Sequence, residues 1–210
     1  MRLVNFIITV LFFLIIIAFP NILSANIINV PADSVTIQSA INGAAAGDTV
    51  LAAPGTYFEN VIIGKEIVVL SSSGAGVTTI DGSGNECCIT FTNNVGNGCI
   101  FEGFTLTNAT YGTNLTNGRS LIKNCIFSGN SKYPIYKAYP QEVGYYAGNN
   151  SFISNPGGSF NALYIRMGTI TSSTTWPLLP EGFVYLLTEE ATDYAIRIEG
   201  TSNPELIIET

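Results

Sequence analysis

Five carboxylates in the first half of the chain could do chemistry by type: Glu59, Glu66, Asp81, Glu86 and Glu102. Glycoside hydrolysis needs two acids about 5 to 9 Å apart. Stacked short strands could bring Glu59 near Glu66, or Glu86 near Glu102, but nothing specific in the sequence favours those pairs. The chain has four Asp in all (Asp33, Asp48, Asp81 and Asp193), and no two stand one repeat apart in its repeated region. It has no His, which removes Ser-His-Asp triads, Cys-His dyads and His-based metal sites. The expectation is therefore no catalytic residue, no cofactor and no metal. If the chain is an enzyme, its acids come from Glu59, Asp81, Glu86 and Glu102, beside Arg119 or a Lys.

Binding has stronger candidates. Tyr133, Tyr136, Tyr139, Tyr145 and Tyr146 cluster with Lys132 and Lys137 in a stretch that also holds Pro134 and Pro140. Exposed aromatic rings stack on sugar faces, and loops on rigid scaffolds commonly carry binding residues. The alternative is that these rings pack over the wall of the fold and shield it. Only 11% of residues are charged and the net charge is −7. So acidic and charge-poor a chain cannot neutralise many phosphates, and nucleic acid is excluded as a partner.

These side chains need elements to position them. Met1-Arg2, the run from Phe6 to Phe19 broken by Pro20, and Leu23-Ser24-Ala25 read as a secretory signal peptide over residues 1–25. A retained anchor is the other reading, although the apolar run is short for a span of about 20 residues. Membrane contact is expected only through this segment, so the chain is expected to be secreted or at the cell surface. Export would permit disulfides among Cys87, Cys88, Cys99 and Cys125. Adjacent Cys87 and Cys88 face opposite ways on a strand. Two readings stay open, buried thiols in a core or one disulfide such as Cys88 with Cys99.

From Asn26 onward one helix comes first, expected over about residues 36–46. Thr36 caps it, Ile37, Ala40, Ile41 and Ala44 form its apolar stripe, and Gly47 ends it. After it come short strands (Val50 to Ala52, Asn60 to Ile63, Ile67 to Leu70, Val77 to Ile80, Ile89 to Thr92) between corners of Gly, Asn, Asp and Ser. The strands repeat. Leu106, Phe127 and Phe152 align, with Gly103, Asn124 and Asn149 three residues before them. Such a period marks a solenoid whose coils bury their apolar residues only by stacking. Asn124 over Asn149, and Asn130 over Asn155, would form corner ladders. The fold class expected is all-β, a right-handed parallel β-helix with an N-terminal amphipathic capping helix over residues 26–160; a β-sandwich is the alternative.

The run from Val35 to Gly84 resembles the opening of right-handed parallel β-helix proteins of the pectin lyase-like superfamily. Thr36-Ile37-Gln38-Ser39-Ala40-Ile41, Gly47-Asp48-Thr49-Val50, Pro54-Gly55-Thr56-Tyr57 and Thr79-Ile80-Asp81-Gly82 carry the resemblance, which extends over about residues 33–158. It implies a helix that plugs the end of the solenoid. It implies little about activity, since the superfamily holds lyases, hydrolases, esterases, adhesins and inert surface proteins. The Asp-rich motifs of polygalacturonase-like hydrolases are absent. Gly55-Thr56-Tyr57-Phe58-Glu59-Asn60-Val61 echoes pectin methylesterases, but the later Asp motifs of that family have no counterpart, and Gln38 and Gln141 are the only glutamines. The structural expectation is that Tyr57 stacks on the solenoid and Glu59 satisfies a corner amide.

Residues 161–210 read as a divergent β-rich segment, either the start of a further β-helical stretch or a fold-back that caps the solenoid. The functional expectation is an exported, noncatalytic β-helix module, carbohydrate-associated or structural, with polysaccharide or cell-surface components as partners. The alternative is a polysaccharide-active enzyme, pectate lyase-like or pectin methylesterase-like.

Overall fold

The computed structural model describes residues 25–92, 95–96, 98–115, 120–153, 161–187, 196–199 and 204–209. Residues 1–24 of the signal segment lie outside them, as do Arg119, Asn155 and Asp193. β1 (Ile27–Val30) leads into the helix α1 (Ile37–Gly43). β2 (Thr49–Ala52), β3 (Gly55–Phe58) and β4 (Val61–Ile63) then make the first coil. β5 (Val68–Ser71), β6 (Thr78–Asp81) and β7 (Cys87–Phe91) make the second. β8 (Ile100–Glu102), β9 (Thr105–Thr107) and β10 (Tyr111–Asn114) make the third, and β11 (Leu121–Lys123), β12 (Ile126–Phe127) and β13 (Ile135–Ala138) the fourth. The fifth opens with a 3-10 turn (Pro140–Glu142) and a short helix α2 (Val143–Gly148) before β14 (Ser151–Phe152) and β15 (Ala162–Ile165). Next come β16 (Gly168–Ile170), β17 (Thr174–Trp176) and β18 (Val184–Leu187), and then β19 (Ile196–Ile198) and β20 (Leu206–Ile208), which pair with β16 and β17.

Like strands of successive coils pair in parallel and build three walls. The first runs β1-β2-β5-β8-β11, the second β3-β6-β9-β12-β14 and the third β4-β7-β10-β13-β15-β18. The chain is thus a parallel β-solenoid of about six turns. Leu106, Phe127 and Phe152 lie in register on the second wall, as the repeat implies. Inside, Val50, Val69, Phe101 and Ile122 form one buried column, and Val61, Ile89, Thr113, Ile135 and Leu163 another. Neighbouring strands lie about 4.8 Å apart, so each apolar side chain rests on its equivalent in the next coil. Thr113 is the exception in its column, because its buried hydroxyl has no hydrogen-bond partner.

Asparagines close the corners, by an Asn–Asn contact where Asn85 donates to Asn60 at 2.9 Å and elsewhere by bonds to backbone. Asn130 is buried, accepts the Ala109 N–H at 3.2 Å and donates to the Leu106 carbonyl at 3.0 Å. Asn150 does the same one coil later, accepting from the Cys125 N–H at 3.0 Å and donating to Ile122 O at 2.9 Å. Each side chain satisfies the backbone of the preceding corner, which a buried turn requires. The expected ladder of Asn124 over Asn149 does not form. Asn124 sits at φ 54°, and its amide donates to Glu102 at 2.7 Å instead.

The cysteines are free and buried. Cys88 points inward and donates to Thr107 O at 3.1 Å. Cys87 lies on the opposite face, hydrogen-bonded to Thr90 and Asn114. The Cys88–Cys99 disulfide is not formed; Cys88 belongs to the third wall, whereas Cys99 leads into β8 of the first. Two further expectations change. Gly55, expected with Pro54 at a corner, opens β3 of the second wall, where Tyr57 pairs in register with Ile80. The tyrosine-rich stretch after Tyr133, which the lengthening of the repeat there suggests is an inserted loop, is instead β13, a 3-10 turn and α2.

Candidate functional site

At seven residues α1 is too short to hold itself together in water, so its ends must be fastened. Thr36 and Ser39 form a capping box. Both Glu59 oxygens accept helix amides, Ile37 N–H at 2.9 Å and Gln38 N–H at 2.9 Å. At the other end Lys65 Nζ donates to Ala44 O at 2.8 Å and Asn42 O at 3.2 Å. An anion thus meets the positive end of the helix dipole and a cation the negative end. Gln38 serves the sheet: its amide accepts from Ile62 N–H at 2.6 Å and donates to Ile62 O at 3.2 Å. It thereby covers the open edge of β4, the first strand of the third wall. Tyr57 donates to Ala53 O at 2.8 Å. The helix ends shortly before the expected boundary, because Ala44 is already extended while its N–H closes the last turn on Ala40 O.

The remaining acids are dispersed. Asp81 Oδ1 accepts from Ser83 N–H at 2.7 Å and from Asn108 at 2.8 Å, at the corner that ends β6. Glu102 pairs with Lys123 at 3.0 Å on the first wall. Burial pulls its carboxyl up, but the Asn124 and Lys123 contacts outweigh this and hold it below the usual range. Glu86 is exposed just before β7 of the third wall, and Glu66 is exposed just before β5 of the first, packed beside Gly96 and Gly98. Glu59 thus caps α1, Asp81 and Glu86 flank the corner between β6 and β7, and Glu66 and Glu102 belong to the first wall. Among the described residues no group of three or more His, Cys, Asp or Glu could hold a metal ion.

The tyrosines do converge, on the outer face of the third wall. Tyr111 and Tyr136 stack at 4.2 Å between ring centroids, and Tyr133 lies 6.0 Å from each, all within 6° of parallel. Those distances form a triangle, so the rings spread into a patch and are not piled in one column. Tyr164 closes the patch, tilted 55° against Tyr133 at 5.2 Å and Tyr136 at 4.8 Å. All four rings are partly exposed. Lys132 Nζ lies 6.0 Å from the Tyr111 ring centre and Lys137 Nζ 5.3 Å from that of Tyr136, within range of cation–π attraction. Desolvation raises the phenols of Tyr111 and Tyr133 above 10, so both stay neutral donors.

Local backbone features shape this patch. Lys137 has φ 62° in mid-strand, where the pairing of β13 with β15 slips register. The other non-glycine residues at positive φ are corner residues, whereas a bulge inside a strand re-aims side chains. Gly112 is required by space: a Cβ there would come 2.6 Å from the Phe127 ring. Of the five tyrosines singled out from sequence, Tyr133 and Tyr136 join the patch. Tyr139 instead lies under the Arg166 guanidinium at 4.6 Å. Tyr145 is exposed on α2, and Tyr146 is buried there. Tyr111 and Tyr164 were missed, although Tyr111 stands 22 residues before Tyr133, one coil away.

Comparison with family models, with curated proteins and with solved structures returns no match.

Proposed function

We propose that the chain is an exported, noncatalytic β-helix module, related to the pectin lyase-like superfamily, that binds a glycan on the third wall. The observation that carries this reading is the patch of Tyr111, Tyr133, Tyr136 and Tyr164. Sideways displacement leaves parts of ring faces uncovered, and aromatic faces are what the apolar side of a sugar ring packs on. The rings sit on adjacent strands of a rigid wall, so their spacing is fixed before a ligand arrives, which reduces the ordering cost of binding. Lys132 and Lys137 add donors beside the rings. The strained Lys137 backbone also fits a site where geometry is set by use. Support for the noncatalytic part comes from the acids: Glu59, Asp81 and Glu102 hold backbone or side-chain partners at separate places. The signal-like N-terminus supports a secreted or cell-surface location.

The test is a glycan array read with the native chain and with Tyr136→Ala and Tyr133→Ala variants. Loss of one stacked ring is worth up to about 1.5 kcal/mol, near tenfold in affinity. Each variant should therefore lose about that much while keeping its melting temperature within a few degrees. Undiminished binding by both variants would refute the assignment.

A further inference from the structure

A cavity of about 200 Å³ opens between α2 and the start of β11, lined by Ser120, Leu121, Glu142, Tyr145 and Tyr146. Tyr146 is 1% exposed, and its phenol donates to Glu142 Oε2 at 3.0 Å and interacts with the Ser120 backbone. Burial and then the Glu142 carboxylate push that phenol well above 10, so it remains protonated. Tyr145 is the exposed aromatic of the lining, at 59%. Ser120 is 6% exposed, and its hydroxyl has no hydrogen-bond partner. Buried polar groups in folded proteins are almost always paired. The Ser120 hydroxyl is sealed from solvent as it stands, and rotation about its Cα–Cβ bond is what would bring it to a partner in the cavity.

We infer that this cavity is a binding site for one neutral pyranose ring. At about 30 Å³ per water the space equals some six or seven waters, well below the roughly 300–1,000 Å³ of sites for drug-sized ligands. That scale suits a single six-membered ring. Glu142 accepts ring hydroxyls, Ser120 Oγ turns to pair with another, and the Tyr145 ring covers the apolar face. The carboxylate disfavours uronates, sulfates and phosphates, so the ring is uncharged. The cavity lies against the first wall, away from the tyrosine patch on the third, and neither site needs the other.

The experiment is saturation-transfer NMR and calorimetry on the full chain with D-glucose, D-galactose, D-mannose and D-galacturonate. At least one neutral hexose should bind, on the order of millimolar, and galacturonate should not. Ser120→Ala should weaken that hexose about tenfold, yet melt at or above the native temperature, because an unpaired buried hydroxyl has been removed. Tyr145→Ala should also weaken it, whereas Val77→Ala, at an exposed residue outside both sites, should bind it as the native chain does. The inference is overturned if no neutral hexose binds, if galacturonate binds better, or if Ser120→Ala binds with native affinity.

Discussion

Replacing Glu59 with alanine should release the capping helix while leaving the core side chains untouched. Two charge-assisted hydrogen bonds at 2.9 Å are lost, each worth about 1.5–3 kcal/mol in general. Glu59 is partly exposed, so water recovers part of this and the lower end applies. The lost charge at the helix N-terminus adds about 0.3–1 kcal/mol. The expected cost is about 3–4 kcal/mol, or a fall in melting temperature of about 6–16 °C for a chain of this size. Coils of a solenoid are stabilised chiefly by their neighbours, so the damage should be local at first. Hydrogen exchange should show lost protection at Ile37, Gln38, Ala40 and Ala44, while the amides of β12 and β13 exchange as before. Glu59→Gln keeps one acceptor and should fall between. The reasoning is refuted if Glu59→Ala melts with the native chain and its helix amides stay protected.

Thr113→Val should stabilise the chain by about 1–2 kcal/mol, because it removes an unpaired buried hydroxyl at constant shape from an aliphatic column; a lower melting temperature would contradict this. Burial pushes Cys87 up to about 11 and Cys88, Cys99 and Cys125 up to about 12. The native chain at pH 8 should therefore resist a thiol reagent, and four thiols should react after denaturation without reductant. Fewer than four would mean a disulfide. Asp48 accepts the Asn26 and Ala45 amides, which hold its carboxyl below the ordinary range. Folding thus favours its ionised form, and that stability is complete above about pH 4 and drains away as pH falls below it. Asp48→Asn should flatten the acid limb of a stability–pH curve, and an unchanged limb would contradict the assignment.

The solenoid was legible because its register is written in apolar residues at a fixed period, and Leu106, Phe127 and Phe152 pair as that period requires. The helix was legible from Thr36 and its apolar stripe. What holds its ends was only half legible, since Glu59 and Lys65 are 21 to 23 residues from their partners. Asn124 was misjudged because a period says which residues neighbour one another and not where a left-handed residue aims its side chain. The tyrosine patch was half legible. Tyr133 and Tyr136 drew notice as neighbours in sequence, while Tyr111 and Tyr164 reach them only through strand pairing, and the slip at Lys137 obscures the register to Tyr164.

The account turns on whether a glycan is held and left intact. The decisive measurement takes the polysaccharide retained best by the immobilised chain, elutes it after prolonged contact, and assays its length, reducing ends, unsaturated ends and released methanol. A noncatalytic tyrosine wall returns the polymer unchanged, with retention lost in Tyr136→Ala. Shortened chains, unsaturated ends or methanol, abolished by replacing Glu102, Glu86 or Asp81, would contradict it.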